Sequence, residues 1–296
     1  SCFGLVGMKP TRGRNPLGPV MGDQMNGLVH DHVVTRSVRD SAAMLDATHG
    51  NVQGDPYWAP PAPDSFLAQV SIEPGKLKIG VTDTPPLGGE PEAEVSAGLR
   101  GTADKLSDLG HDVEPVSWPV SADMINEIFM TIWMGGCASG IDGVARLTGR
   151  QPDESLFEPL TWAFYQLGKM IDASTYLLAV GGMQSIAREI AAAHAGYDVV
   201  LTPTLGKRPL RLGDIDTTQT DIEAQSDKLL GFASYTPLQN MTGQPSISLP
   251  LHMSAESLPI GMMFTGRFGD EATLYRLAGQ LEREMPWRDR KPGGFY

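Results

Sequence analysis

Cysteine is scarce in this sequence of 296 residues, which contains only Cys2 and Cys137, and neither stands at a metal-ligand spacing. Two isolated cysteines favour free thiols in a reducing compartment, so no disulfide framework is expected and a cytoplasmic location is predicted. No uninterrupted apolar run reaches the roughly 20 residues of a membrane-spanning helix, so the sequence predicts no membrane segment.

Positive charge is also in short supply. The chain has 23 Lys and Arg against 35 Asp and Glu, which gives a formal net charge of -12. Proteins bind phosphate backbones with clustered Lys and Arg side chains that displace counterions. The composition therefore argues against a nucleic-acid partner.

Several catalytic motifs are missing as well. The sequence contains no Gly-x-Ser-x-Gly nucleophile elbow and no Gly-x-x-x-x-Gly-Lys phosphate loop. A small polar cluster of Asp23, His30, Asp31 and His32 lacks a further ligand at a suitable spacing, so no metal site is predicted. His194, at the end of a predicted helix, is interpreted as a partly buried side chain and not as a general base.

The elements that are present favour an α/β protein, in keeping with 41% hydrophobic residues, 34 Gly and 23 Pro. A strand over 76–81, a helix over 91–109 and a strand over 111–116 predict a right-handed crossover. Further helices are predicted over 37–50, within 121–195 and over 270–284, further strands over 199–204, 246–251 and 260–266, and irregular connections over 51–76 and 206–225. This order predicts a sheet covered by helices on both faces.

Four segments, spread in order over the chain, carry a family resemblance. They are SCFGLVGMKPTRGR at 1–14, TRSVRD at 35–40, VLTPT at 200–204 and NMTGQPSISLP at 240–250. The first closely resembles the stretch that directly follows the signature sequence of amidase-signature enzymes. The others resemble later motifs of the same family in the same order, and the ordered set is far more specific than any one of them.

The resemblance implies an amidase-signature fold with a mixed β-sheet, and a Ser–cis-Ser–Lys triad that cleaves a carboxamide bond through an acyl-enzyme. The nucleophile should lie a few residues before Ser1, with the bridging serine and the lysine further upstream. Residues 1–296 are then the C-terminal portion of a single amidase domain, which contains no catalytic residue and should be inactive alone. Lys9 belongs to the downstream motif and is not the catalytic lysine. No metal or organic cofactor is implied.

The resemblance also implies that this chain supplies the substrate side, from the helical region after the crossover and from the loop before the Gly-Gln-Pro strand. By position in the family, the candidate substrate-binding residues are Trp133, Met134, Cys137, Tyr235, Gln239 and Asn240. For Cys137 the alternative of a buried cysteine packed as a small apolar side chain is preferred. The expected partners are a small-molecule amide and the missing N-terminal half of the domain, and a homodimer is a further candidate assembly.

Residues 55–60, the KIGV strand at 78–81 and residues 286–292 most resemble bacterial amidases of the 6-aminohexanoate-cyclic-dimer hydrolase type. Two alternatives remain open at this point. The chain could belong to the amidase subunit of a tRNA-dependent amidotransferase, which shares the scaffold, or to a non-catalytic remnant or binding module.

Overall fold

A computed structural model describes residues 1–19 and 21–291, so Pro292 of the last motif lies outside the described residues. The strands are β1 (Val6–Lys9), β2 (Val34–Thr35), β3 (Lys78–Val81), β4 (Asp112–Pro115), β5 (Val199–Pro203), β6 (Ser246–Met253) and β7 (Pro259–Gly266). The helices are α1 (Val38–Thr48), α2 (Phe66–Gln69), α3 (Ala93–Asp108), α4 (Ala122–Thr148), α5 (Pro159–Met170), α6 (Ala173–Ala193), α7 (Ile222–Phe232), α8 (Thr236–Thr242) and α9 (Glu271–Glu284), with 3-10 turns at Met25–Gly27 and Glu154–Leu156.

Within this part of the chain the strands form one mixed sheet in the order β2-β1-β6-β7-β5-β3-β4. Strand β3 pairs in parallel with both β4 and β5, and the other pairings are antiparallel. A crossover is confirmed, because α3 connects the parallel strands β3 and β4, and its right-handedness stays a prediction. The predicted α/β class and mixed sheet are also confirmed.

The hairpin of β6 and β7 crosses the centre of the sheet. Its register shifts between Leu249 and His252, at a point where Pro250 has no N–H to donate. Arg290 Nη1 donates to the carbonyl oxygens of Pro250 at 2.9 Å and Leu251 at 3.3 Å. A side chain from the C-terminal segment thus satisfies carbonyl groups at the irregular part of the ladder.

One face of the sheet carries the main hydrophobic core. Ile247, Leu249 and Leu251 alternate along β6 and pack with apolar residues of α1, α2, α3 and α9. Ser246 and Ser248 point to the opposite face, because successive side chains of a strand alternate between faces. Strand β6 is therefore apolar on one side and carries small hydroxyl side chains on the other.

A buried ion pair connects the N-terminal segment to α9. Arg14 Nη2 lies 2.9 Å from Glu271 Oε2, and the two side chains are only 4% and 0% exposed. The main-chain N–H of Thr11 also donates to Glu271 Oε1 at 2.9 Å. The first motif of the sequence is in this way attached to the last helix.

A second core lies among α4, α6 and α8, where Ile132, Met183, Ile186 and Ile190 are buried. Judged by length and composition alone, α4 is the one helix among the described residues that could cross a membrane. That is weak evidence, because core helices of soluble proteins share the same length and composition. The absence of a membrane segment stays a prediction.

Two expectations about local structure are wrong. The connection over 51–76 contains α2, which begins at the N-cap Ser65 and buries Phe66 completely. A four-residue helix is too short to show a 3.6-residue period, so the sequence pattern could not reveal it. The predicted irregular connection over 206–225 is shorter than expected, because α7 begins at Ile222.

Candidate substrate pocket

A cavity of about 190 Å³ lies among the four helices α4, α5, α7 and α8. Its lining residues are Phe129, Met130, Trp133, Phe164, Ser226, Leu229, Leu230, Ala233, Thr236, Pro237 and Asn240. None of these side chains is charged. The polar side-chain groups come from Ser226, Thr236 and Asn240 and from the indole N–H of Trp133, so the cavity suits a neutral and largely apolar group.

Two of the predicted substrate-binding residues, Trp133 and Asn240, are brought together in this lining. Trp133 extends from α4, stacks on Phe129 with ring centroids 5.5 Å apart, and remains 37% exposed. Asn240 is on α8, where the sequence analysis expected a loop before the Gly-Gln-Pro strand. That expectation is wrong, since residues 236–242 form a helix that ends at Gly243 with a positive φ of 73°.

Met134 and Cys137 lie against α5 and do not line the cavity. Cys137 Sγ is 4.0 Å from the carbonyl oxygen of Thr161, and burial raises the pKa of its thiol. A Cβ at Gly168 would overlap the Met134 carbonyl, so α5 passes directly over this turn of α4. Cys137 is half-buried, so the preferred interpretation of a buried packing residue stays a prediction.

Tyr235 and Gln239 are buried and are also absent from the lining. The Tyr235 hydroxyl donates to the main-chain oxygen of Asp83, and burial raises its pKa above the ordinary value. Gln239 is 3% exposed, and its Oε1 has no hydrogen-bond partner among the described residues. Tyr235, the N-cap residue of α8, therefore ties the start of this helix to the segment at Asp83.

The sequence analysis did not identify the cavity residues of α7. Ser226, Leu229, Leu230 and Ala233 follow a polar segment that shows no clear periodicity. One signal could have located the helix: Asp221 is its N-cap and accepts a hydrogen bond from Ala224 N–H at 3.1 Å. Phe129, Met130 and Trp133 at i, i+1 and i+4 could likewise have indicated an aromatic face on α4.

The side chains of Ser1, Thr204 and Ser248 lie close together at the end of β5. The N–H of Gly261 donates to Ser1 Oγ at 3.0 Å, and Thr204 N–H donates to the Gly261 carbonyl at 3.0 Å. The hydroxyls of Thr204 and Ser248 lie 2.7 Å apart. Two residues after Thr204, Gly206 N–H donates to the Phe232 carbonyl at the end of α7. A short stretch of main chain therefore joins the cluster around Ser1 to a wall of the cavity.

The polar cluster considered for a metal is held by structural hydrogen bonds. Asp23 Oδ1 accepts from Gly27 N–H at 2.7 Å, His30 Nδ1 is 3.1 Å from the Leu28 oxygen, and His32 Nε2 is 3.2 Å from the Ser41 oxygen. Burial, together with the charges of nearby Lys9 and Arg12, lowers the pKa of His30 to about 2. Among the residues that the structure describes, no group of three or more His, Cys, Asp or Glu is placed to hold a metal ion.

Comparison with known proteins decides the family. The sequence matches the Amidase family over residues 1–275. The chain belongs to the amidase family. It is 32% identical over 302 residues to the 6-aminohexanoate-cyclic-dimer hydrolase of Pseudomonas sp. (strain NK87), a match that covers 99% of this chain. The corresponding hydrolase of Paenarthrobacter ureafaciens is also 32% identical over 302 residues.

The fold agrees with that membership. A solved structure of 6-aminohexanoate cyclic dimer hydrolase complexed with substrate matches with a TM-score of 0.88 at 32% identity, covering 98% of this chain and 62% of that one. This amidase-family chain therefore has the amidase-signature fold. It spans 61% of the length of the curated hydrolases it matches, so it corresponds to only part of such an enzyme.

Proposed function

We propose that the whole protein hydrolyses a carboxamide bond of a small, neutral and largely apolar amide, and that this chain supplies the pocket. The observation that carries the proposal is the uncharged cavity between Trp133 and Asn240 in a chain of the amidase family. An ionised substrate group would lose its hydration there without gaining a countercharge, which disfavours charged acyl groups.

The proposed chemistry uses a Ser–cis-Ser–Lys triad that precedes Ser1. The lysine accepts a proton from the bridging serine, which accepts one from the nucleophilic serine as it attacks the amide carbonyl. Main-chain N–H groups stabilise the oxyanion, the amine leaves with a proton, and water then hydrolyses the acyl-enzyme. The link between the Ser1 cluster and α7 supports this arrangement, because residues just before Ser1 would start near the cavity.

Trp133 offers a direct test of the pocket. In the full-length natural protein, Trp133→Ala should lower kcat/KM for hexanamide by about tenfold or more, because an apolar wall is lost. Trp58→Ala is the matched control, since Trp58 is 61% exposed and lies outside the cavity lining. Equal effects of the two substitutions would contradict the assignment of this cavity.

The position of the nucleophile can be tested by covalent labelling. An alkyl fluorophosphonate should modify one serine of the full-length protein in a peptide that precedes Ser1, as located by mass spectrometry. Residues 1–296 expressed alone should neither be labelled nor hydrolyse amides. Labelling of a serine within residues 1–296 would show that the proposed triad is misplaced.

A further inference from the structure

The side chain of Arg12 crosses from the N-terminal segment to the last turn of α8. Its Nε donates to the Gly27 oxygen at 2.9 Å, and its Nη2 donates to the oxygens of Asn240 at 2.8 Å and Met241 at 2.9 Å. Carbonyl groups in the last turn of a helix have no intrahelical partner, and a positive charge there interacts favourably with the helix dipole. Arg12 therefore caps α8 at the residue whose side chain lines the cavity.

The surroundings of Arg12 are shaped to its guanidinium group. Gly27 and Gly243 both have positive φ, and a Cβ at these positions would lie 2.6 Å from Arg12 Nε and 3.0 Å from Arg12 Cβ. The Arg12 Cζ also lies 5.6 Å from the centroid of the Tyr57 ring, within the range of a cation–π contact. The side chain is held on several sides and has little freedom to shift.

The other end of this connection rests on α4. The turn that contains Gly27 begins with Met25 and Asn26, which have φ values of 52° and 53° although neither is glycine. A Cβ at Gly136 would lie 2.5 Å from Met25 Cγ, so the turn fits against α4 at that glycine. Asn26 Nδ2 donates to the Tyr176 hydroxyl of α6 at 2.7 Å. Left-handed residues of this kind cost energy and persist only where neighbouring contacts enforce them.

We infer that Arg12 is a positioning residue that fixes how α4 and α8, two of the helices that line the cavity, are placed relative to each other. Arg12 binds the end of α8, the helix that carries Asn240. It also binds the Met25–Gly27 turn, which packs against α4, the helix that carries Trp133. Arg12 itself does not line the cavity, so it acts through α8 and the turn. The inference rests on the proposed function, because it assumes that the substrate occupies this cavity.

The consequence is a selective effect on substrates of different size. Lys at position 12 keeps the charge, but its single ammonium group cannot reproduce the planar fork that reaches three carbonyl oxygens. When Arg12 no longer fixes the positions of α4 and α8, a group that fills the cavity should bind more weakly. A substrate too small to touch both helices should be affected little.

The test compares hexanamide with acetamide in the full-length natural protein. Arg12→Lys and Arg12→Met should raise KM for hexanamide by about tenfold while changing kcat/KM for acetamide by less than about threefold. Arg276→Lys is the matched control: Arg276 makes two hydrogen bonds to Gln69 between α9 and α2, away from the cavity, and its loss should leave the ratio between the two amides unchanged. A purely structural role of Arg12 would lower both activities by the same factor, and that result would overturn the inference.

Calorimetric titration with hexanamide separates the remaining outcomes. If the wild-type protein binds hexanamide but cleaves neither amide, the proposed reaction fails, and a tenfold weaker binding to Arg12→Lys than to Arg276→Lys still supports the inference. If the wild-type protein cleaves acetamide but does not bind hexanamide, the inference fails and amide hydrolysis stands. If it neither cleaves an amide nor binds hexanamide, both are wrong. Arg12→Lys is the decisive variant should Arg12→Met fail to fold.

Discussion

The buried ion pair of Arg14 and Glu271 gives the sharpest prediction about stability. Arg14 Nε and Nη2 donate to the two carboxylate oxygens at 3.0 and 2.9 Å, and Nη1 donates to the Pro60 oxygen at 2.6 Å. Both side chains are almost completely excluded from solvent. Removing one partner therefore leaves a buried charge without its counterion, and Arg14→Met should lower the free energy of unfolding by about 3–5 kcal/mol.

A double-mutant cycle distinguishes this explanation from simple loss of contacts. In Arg14→Met/Glu271→Met the stranded carboxylate is gone, so the pair of substitutions should cost no more than Arg14→Met alone. The control is Glu284→Gln, which breaks the exposed pair with Lys105 and should cost less than about 1 kcal/mol. Unfolding by denaturant measures each value. The reasoning is refuted if Arg14→Met costs as little as the control, or if the two single costs simply add.

Three further predictions concern glycine spacing, helix capping and pH. Gly168→Ala should destabilise the protein severely, because the added Cβ would overlap the Met134 carbonyl. Gly181→Ala lies on an exposed part of α6 with no atom near the added Cβ, so it should stabilise the protein by up to about 1 kcal/mol. Thermal unfolding of both variants checks this prediction. Ser37→Ala should cost about 1 kcal/mol, because the Ser37 hydroxyl caps α1, and an unchanged denaturation midpoint would contradict that role. Burial opposes ionisation of Glu271, but hydrogen bonds and charge from its arginine partner outweigh it and lower its pKa below 4.5. The ionised Glu271 side chain therefore contributes to the free energy of unfolding above pH 4.5, and this contribution is lost as the pH falls through the lowered pKa. When the free energy of unfolding is measured from pH 7 to 3, Glu271→Gln should approach the wild-type value only in acid.

Local signals in the sequence were sufficient for much of the fold. The N-cap Ser37 begins α1 as predicted, and the apolar stripe of α9 places Leu274, Leu277 and Leu281 in the core. The parallel pairing of β3 and β4 follows from the sequence of a strand, a helix and a strand, because such a unit almost always forms a right-handed crossover between parallel strands. These features depend on residues close to one another in the chain, which is why sequence alone predicts them.

The candidate site was predicted only in part, and the contrast between Trp133 and Cys137 shows the reason. The two residues are four apart and lie on the same face of α4. Trp133 borders the cavity, while α5 covers the next turn, where Cys137 meets Thr161. Which turn of a helix is covered depends on where another helix crosses it, and no local pattern encodes that crossing.

The sequence by itself indicated the family, the α/β class and the order of the longer helices and central strands, because each depends on residue types at short spacings, whereas α2, α7 and α8 were missed. Only the tertiary structure decided where the cavity lies. Its walls come from α4, α5, α7 and α8, which are separated by up to about a hundred residues, and the guanidinium of Arg12 connects α8 to the turn at Met25–Gly27 through main-chain oxygens. Carbonyl groups are the same in every residue, so a site held together by them leaves no trace in the pattern of side chains.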